Sequence, residues 1–265
     1  MNREMRLERM RPGEILAERE RAPVAYVPVG LLEWHGPHLP LGVDALNAEA
    51  VAQGLAREVG GVVLPTLYLG TAGLRTLASL EAVGLPGDQY VVGMDFPGNS
   101  VPSYYYPEEV LALAVRATLE LLRRQGYRLA VLVNGHAAPN QVATLERLAA
   151  EYSHTTPLQV RMLLAMPGST RGQWSAAHAT GQETALMLAL APETVDVAAL
   201  PAEGPLRCAD YAIVDDQTLK GHPTPDLTVP ADDDPRRASA AAGEARLQAC
   251  VAELAEAVRE ALAEL

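Results

Sequence analysis

The chain has 265 residues, 49% of them hydrophobic, so it is long enough to bury a large core and too apolar to be a disordered chain. Its formal net charge is −12 and it shows no basic stripe, which argues against binding to nucleic acid or to an anionic membrane. The N-terminal segment lacks the apolar stretch of a secretory signal, and no apolar run reaches the roughly 18 residues of a spanning helix. The two cysteines form no metal or redox motif. We therefore expect a cytoplasmic protein.

Short apolar segments alternate along the chain with helical patterns. Residues 24–30, the segment VAYVPVG, have the composition of a buried strand, and helical spacing follows at 44–58. The clearest helix, 107–126, has proline first, glutamates in its first turn, arginines in its last turn and glycine at its end. The remaining predicted elements are a strand at 61–70 interrupted by Pro65, a strand at 127–135, a helix at 140–152, a strand at 158–166, a helix at 183–192 and a terminal helix at 236–264.

This order of elements predicts a single α/β domain over residues 1–265. Strands that alternate with helices form a mostly parallel sheet, and helices on both of its faces make a three-layer α/β/α fold. No linker divides the chain, and no internal repeat is visible. Two long irregular stretches, 71–106 and 201–237, are expected to serve function or assembly, as long loops in compact domains usually do.

Ligand-type side chains follow the first predicted strand. Glu33 and His35 lie in the apolar segment GLLEWHGPHLPLGVD, and an extended chain there would point both of them to the same side. Asp44 opens the next helix. Ligands of parallel sheets bind beyond the carboxyl ends of the strands, which is where these three side chains are expected.

Three further side chains are expected at the same edge of the sheet. His136 follows the strand of 127–135, and Glu183 starts the helix of 183–192 with His178 five residues earlier. The segment after the first strand is therefore interpreted as the front half of a metal site that these residues complete.

Five candidate ligands, Glu33, His35, Asp44, His136 and Glu183, exceed the three of a usual single catalytic zinc. Two divalent ions bring four positive charges, which three carboxylates and one bridging hydroxide balance. A shared carboxylate would bridge the ions, and mixed histidine and carboxylate ligands suit Zn²⁺ or Mn²⁺ better than Ca²⁺. The pattern predicts two divalent ions per chain, Zn²⁺, Mn²⁺ or one of each.

Each ligand also has a simpler interpretation. A histidine after a strand is often only hydrogen-bonded, which would explain His136. Glu33 at a strand exit could be solvated, and Glu183 at a helix N-terminus is favoured by the helix dipole. The joint placement of all five residues favours the metal site over these separate explanations.

Four segments resemble the creatininase (creatinine amidohydrolase) family. They are VPVGLLEWHGPHLPLGVDALNAEAVA, VLVNGHAAPN, HATGQETALML and the tail DDDPRRASAAAGEARLQACVAEL. The resemblance covers nearly the whole chain from about residue 14, and the first segment is the most specific.

The resemblance implies a single α/β/α domain that hydrolyses an amide C–N bond other than a peptide bond, and assembly as a homo-oligomer, often a hexamer. It implies Glu33, Asp44 and His136 as ligands of one ion. It implies His35, Asp44 and Glu183 as ligands of the other.

The resemblance also places His178 near the leaving nitrogen as a proton carrier, so that His178 and Glu183 are the catalytic candidates. Trp174 matches an aromatic residue that lines the creatininase pocket, and packing in the core or at an interface is its simpler explanation. Tyr104, in the segment FPGNSVPSYYYPEE, is a candidate substrate contact, although the tyrosines there could instead pack within the loop or against another subunit.

The sequence departs from true creatininases around the predicted pocket. Ala137 and Ala138 stand where creatininases have tyrosine and glutamate, and Ala177 stands where they have glutamate. Pro139 separates the Asn-Gly-His segment from the asparagine that usually follows it in the family. These departures weaken the case for creatinine as the substrate.

The substrate is therefore left open among a cyclic amide such as creatinine, a formamidopyrimidine nucleotide and a peptide-like amide. All three would share attack of a metal-activated hydroxide on a carbonyl carbon and stabilisation of the oxyanion. The alternative is a non-catalytic metal- or ligand-binding member of the same fold. A serine or cysteine hydrolase and a dinucleotide-binding enzyme are not supported, because their motifs are missing.

Overall fold

Parallel strands form the central sheet of the computed structural model, which describes residues 4–173, 178–209, 212–213, 218–221 and 228–265. The strand order is β2-β1-β4-β5, and β3 pairs with β1 beyond the end of β2. These five strands are β1 (Val24–Gly30), β2 (Val62–Val63), β3 (Leu67–Tyr68), β4 (Leu129–Asn134) and β5 (Gln159–Leu164). A separate antiparallel pair consists of β6 (Cys208–Ala209) and β7 (Ala212–Ile213).

Helices cover both faces of this sheet, which confirms the predicted three-layer α/β/α fold. They are α1 (Pro12–Arg21), α2 (Val43–Val59), α3 (Leu77–Ala82), α4 (Glu108–Gln125), α5 (Pro139–Thr155), α6 (Gly181–Leu190) and α7 (Ala240–Ala263). Helices α2 and α7 pack on one face, and α4 and α5 pack on the other. Helix α6 lies against α7.

The first strand shows why its sequence is apolar throughout. All seven residues of β1 are buried. Tyr26 belongs to the core under α2 and α7, whereas Val27 and Val29 belong to the core under α4 and α5. A strand buried on both faces has no polar side, as is usual in parallel sheets.

The predicted elements agree with the observed ones to within a few residues, apart from the strand of 61–70. That segment forms the two short strands β2 and β3, which flank Pro65 and both pair with β1. Helix α4 ends where predicted, at Gly126, which adopts the left-handed conformation with φ 85°. Helix α1 was not predicted from the sequence, because half of its residues are charged and it buries only Glu18.

The connections of the sheet place a cleft between β1 and β4. After β1 the chain continues to β2 on one side, and later returns to β4 on the other side of β1. Loops that leave two such strands at their carboxyl ends diverge and open a binding crevice. No helix within the described ranges is both long and apolar enough to cross a membrane.

Candidate metal centre

The segment that follows β1 is held in place by backbone hydrogen bonds. The N–H of Glu33 donates to the carbonyl oxygen of Leu41 at 2.8 Å, and the N–H of Trp34 donates to Oγ of Ser103 at 3.0 Å. Glu33 is 3% exposed and His35 is fully buried. The segment therefore presents two ligand-type side chains in a fixed, water-poor setting.

Two glycines allow Asp44 to approach the ends of both central strands. A Cβ atom at Gly30 would lie 2.5 Å from the backbone nitrogen of Ala45, and one at Gly135 would lie 2.0 Å from the carbonyl oxygen of Asp44. Any other residue would push the first turn of α2 away from the sheet. The glycines that end β1 and follow β4 thus bring Asp44 beside His136.

Glu33, Asp44 and His136 form the first candidate ligand group. Nδ1 of His136 lies 3.0 Å from Oδ2 of Asp44 and 3.4 Å from Oε2 of Glu33. One ligand atom of each residue lies within 4.8 Å of the others. This spacing is suitable for a single ion.

His35, Asp44 and Glu183 form the second group. Nε2 of His35 lies 3.5 Å from Oδ1 of Asp44 and 3.7 Å from Oε2 of Glu183. Asp44 therefore turns one oxygen toward each histidine. The sequence-predicted ligands are brought together in the two triads that the sequence analysis proposed, and their role as ligands stays a prediction.

The hydrogen bonds of these residues fit a metal site. Nδ1 of His35 lies 3.0 Å from the backbone carbonyl oxygen of Glu33, which fixes the ring and turns Nε2 toward the carboxylates. Nε2 of His35 and Oδ2 of Asp44 are buried atoms without a hydrogen-bond partner. Buried polar atoms rarely lack a partner, and a cation in each triad would give one to Oδ2 of Asp44 in the first and to Nε2 of His35 in the second.

The electrostatics of the site also fit bound cations. Burial would lower the pKa of His35, but the Glu183 and Asp44 carboxylates outweigh it and raise that pKa to about 10. Burial likewise opposes the charged form of His136, but Glu33 and Asp44 raise its pKa well above the usual value. Without metal, protons on these rings balance the buried carboxylates. Divalent ions would replace those protons.

His178 lies over the same cluster. Its ring centroid is 4.0 Å from that of His35, and its Nδ1 is 3.6 Å from Oε2 of Glu33. Burial, together with charge on His35, lowers the pKa of His178 to about 4. His178 is therefore neutral at pH 7, and it also lies close enough to Glu33 and His35 to form a third possible ligand group.

A buried amide network supports His136. The side chain of Asn134 donates to the carbonyl oxygen of His136 at 2.7 Å, and its Oδ1 accepts the N–H of His136 at 3.1 Å. Gln141 donates to the same Oδ1 at 2.8 Å and accepts the N–H of Thr71 at 2.9 Å. The network joins the end of β4, the start of α5 and the long loop after β3.

The tyrosine segment presents a different residue to the site from the one predicted. The side chain of Tyr104 is 53% exposed and does not line the cavity, whereas Tyr105 donates a hydrogen bond to Oε1 of Glu33. Tyr104 and Tyr106 bond through their backbone N–H groups to Leu32 and Gly70, so the segment is extended and its side chains alternate. The three tyrosines are consecutive, so the sequence alone does not distinguish the one that faces inward. The predicted substrate contact Trp174 and the departure at Ala177 lie outside the described residues.

A cavity of about 460 Å³ opens beside the cluster. The residues of the cluster that line it are Glu33, Asp44, His136, His178 and Glu183. Most of the remaining wall is apolar or small, and it comprises Ala72, Gly73, Leu74, Met94, Ala137, Ala138, Pro139 and Met166. Arg75, Thr76, Ser79 and Asn140 add polar groups. Ala137 and Ala138, two of the positions at which the sequence departs from true creatininases, thus contribute only small side chains to this wall.

Comparison with known proteins identifies the family of this chain. The sequence profile of the creatininase family, described as creatinine amidohydrolase, matches residues 8–258. The creatinine amidohydrolase of Pseudomonas putida is 28% identical over 255 residues, which cover 89% of each protein. The mycofactocin precursor peptide peptidase of Mycolicibacterium smegmatis is 39% identical over 71 residues, 24% of this chain and 26% of that protein.

Solved structures show the same relationship. A crystal structure of creatinine amidohydrolase (creatininase) superposes with a TM-score of 0.68 at 25% identity, covering 98% of this chain and 99% of that one. Two further creatininase structures, a zinc–zinc form and a manganese form, each superpose with a TM-score of 0.67 at 25% identity, covering 98% of this chain and 99% of theirs.

Proposed function

This chain belongs to the creatininase family of amidohydrolases, and we propose that it hydrolyses an amide C–N bond with the help of two divalent metal ions. The observation that carries the proposal is the position of Asp44. Its Oδ2 lies 3.0 Å from His136 and its Oδ1 lies 3.5 Å from His35, so one carboxylate serves two ligand groups. Solved creatininases in zinc–zinc and manganese forms support Zn²⁺ or Mn²⁺ as the ions.

Each triad would hold one of the two ions. Glu33, Asp44 and His136 would hold one ion, and His35, Asp44 and Glu183 would hold the other. When bound, such a pair lowers the pKa of water and polarises a carbonyl oxygen. The buried surroundings of the ligands strengthen these electrostatic effects, because the effective dielectric constant is lower than in water.

His178 is the proposed proton carrier. Its Nδ1 faces the cluster, where it would accept a proton during attack on the carbonyl carbon and donate it to the departing nitrogen. An amide nitrogen leaves slowly unless it is protonated, and general acid–base catalysis of this kind contributes about 10²- to 10⁴-fold in rate. The low pKa of His178 keeps its Nδ1 free to accept that proton at pH 7.

The cavity supports a substrate larger than creatinine. Its walls beyond the ligand cluster are mainly apolar, and alanines occupy positions 137 and 138. We propose a larger amide, a formamide or a peptide-like amide as substrate. The resemblance to a precursor peptide peptidase over 71 residues supports the last of these.

Exposed apolar side chains support the expectation of a homo-oligomer. Between β3 and α4, Leu74 and Leu77 are each 58% exposed and Tyr90 is 81% exposed. Groups of exposed large hydrophobic residues often mark contact surfaces between proteins.

Metal analysis of the purified chain tests the proposed function. Protein prepared without chelator is expected to carry close to two equivalents of Zn or Mn per chain, separated by roughly 3.5 Å as in other binuclear sites. Asp44→Ala should lose both ions, because both triads contain Asp44. The exposed Asp88 provides the matched control Asp88→Ala, which should retain both.

A second substitution tests the ligand role of Glu183. Glu183→Gln should lower metal occupancy as well as rate, because the second triad would lose one of its two carboxylates. Full occupancy with a reduced rate would make Glu183 a base and not a ligand. A clean single equivalent that Asp44→Ala still binds would contradict the two-ion site.

A further inference from the structure

The two carboxylate oxygens of Glu33 have different partners. Oε1 accepts a hydrogen bond from the hydroxyl of Tyr105. Oε2 instead lies 3.4 Å from Nδ1 of His136 and 3.6 Å from Nδ1 of His178. Only Oε2 is therefore directed at the ligand cluster.

The direction of the Tyr105 hydroxyl hydrogen is fixed by a second bond. The backbone N–H of Met94 donates to the hydroxyl oxygen of Tyr105 at 2.8 Å. A phenol has a single hydrogen to donate, and with its oxygen accepting from Met94 that hydrogen is directed to Glu33. The interaction thus suits the ionised carboxylate, which is the form that binds a metal.

The loop around Gly93 holds the Tyr105 ring in place. Gly93 has φ +52°, and a Cβ atom there would lie 2.4 Å from the hydroxyl oxygen of Tyr105 and 2.5 Å from its Cζ. The carbonyl oxygen of Gly93 in turn accepts a hydrogen bond of 2.6 Å from Nε of Arg75. The ring fits a space that only glycine leaves open, so the hydroxyl has a defined position.

We propose that Tyr105 is a positioning residue for the metal centre, which holds Glu33 so that Oε2 alone binds the ion shared with Asp44 and His136. The inference rests on the proposed function, since it concerns how one of its ligands is oriented. Without the hydroxyl, Oε1 loses this hydrogen bond, and the Glu33 carboxylate can rotate so that Oε2 is no longer directed at the ligand cluster. Loss of such an outer hydrogen bond typically weakens metal binding by about 10- to 100-fold.

Zn²⁺ titration of the metal-free protein against a competing chelator tests the role of Tyr105. Wild type should show two binding steps. Tyr105→Phe removes only the hydroxyl, and it should weaken one step by about 10- to 100-fold while the step assigned to His35, Asp44 and Glu183 keeps its affinity. The control is Tyr106→Phe, because that neighbouring side chain is 38% exposed and should leave both steps unchanged.

A second variant and a folding measurement distinguish loss of the hydrogen bond from a folding defect. Gly93→Ala keeps the hydroxyl in the chain but displaces it, and it should cause the same selective loss. Thermal unfolding of each metal-free variant shows whether it is folded. Wild-type affinity for both ions in Tyr105→Phe and Gly93→Ala, or equal weakening of both steps, would overturn the proposal. Wild-type protein that binds no ion would instead refute the proposed function and remove the basis of this inference.

Discussion

His178 donates its Nε2–H to the backbone carbonyl oxygen of Trp34, 2.7 Å away. A backbone carbonyl can only accept, so this bond fixes the neutral ring with its proton on Nε2. Nδ1 then carries the lone pair and faces Oε2 of Glu33 at 3.6 Å. The bond to Trp34 therefore decides which nitrogen of His178 is available for chemistry.

The first prediction concerns the role of that nitrogen. His178→Ala should keep both metal ions and lose about 10²- to 10⁴-fold in kcat, because a proton carrier is removed and the two ligand triads stay intact. His178→Gln is the matched variant, since its amide N–H can still bond to Trp34 but cannot carry a proton. It should lose a similar factor in kcat.

Metal content and steady-state rates of both variants, measured on the same preparations, check this prediction. If His178→Ala lost an ion together with its activity, His178 would be a ligand in the group with Glu33 and His35, and the proton carrier would have to be another residue.

The fold could be predicted largely from local patterns. The run VAYVPVG identifies β1 because burial on both faces demands apolar residues throughout, and the charges and glycine of α4 mark its ends. Helix α3 and the pair β6–β7 lie in stretches that were expected to be irregular. They are two to six residues long, too short for a periodic pattern to show.

The site was predictable only in its inner part. The candidate metal ligands are recognisable because histidine and carboxylate side chains at strand ends are uncommon in apolar segments. Tyr105 and Gln141 act through contacts with residues distant in sequence, Tyr105 with Glu33 across 72 positions and Gln141 with Thr71 across 70. Their residue types are common in loops and helices, so nothing local distinguishes them.

The second prediction concerns pH. The pKa of His35 is raised from 6.5 to about 10 in the folded protein, because the Glu183 and Asp44 carboxylates outweigh the effect of burial. A raised folded pKa stabilises the protein fully below the unfolded pKa of 6.5, and that stabilisation is lost as pH rises toward 10. The Tm of the metal-free protein should therefore fall between pH 7 and 9, and bound Zn²⁺, which replaces the proton, should reduce that fall.

Scanning calorimetry at a series of pH values, with and without one to two equivalents of Zn²⁺, measures this effect. His35→Gln should flatten the decline of the metal-free protein, whereas His154→Gln, at an exposed histidine of α5, should not. An unchanged decline in His35→Gln would show that the slope comes from other groups.

The last prediction concerns the substrate. The wall of the cavity of about 460 Å³ includes Ala137 and Ala138 next to His136, and Leu74, Met94 and Met166 add apolar surface to it. A site that selects creatinine needs buried polar partners for its ring, and a site without them discriminates poorly in its favour. We therefore expect little creatinine hydrolysis and higher kcat/KM for larger amides, in a panel of creatinine, formamidopyrimidines and short peptides assayed with Zn²⁺ and Mn²⁺.

Ala138→Leu fills part of the cavity and should lower kcat/KM for the best large substrate by about 10- to 200-fold, since a few methylene groups in a pocket are worth that much, while creatinine turnover changes little. Creatinine emerging as the best substrate of the wild-type protein would mean that the alanines do not set the specificity.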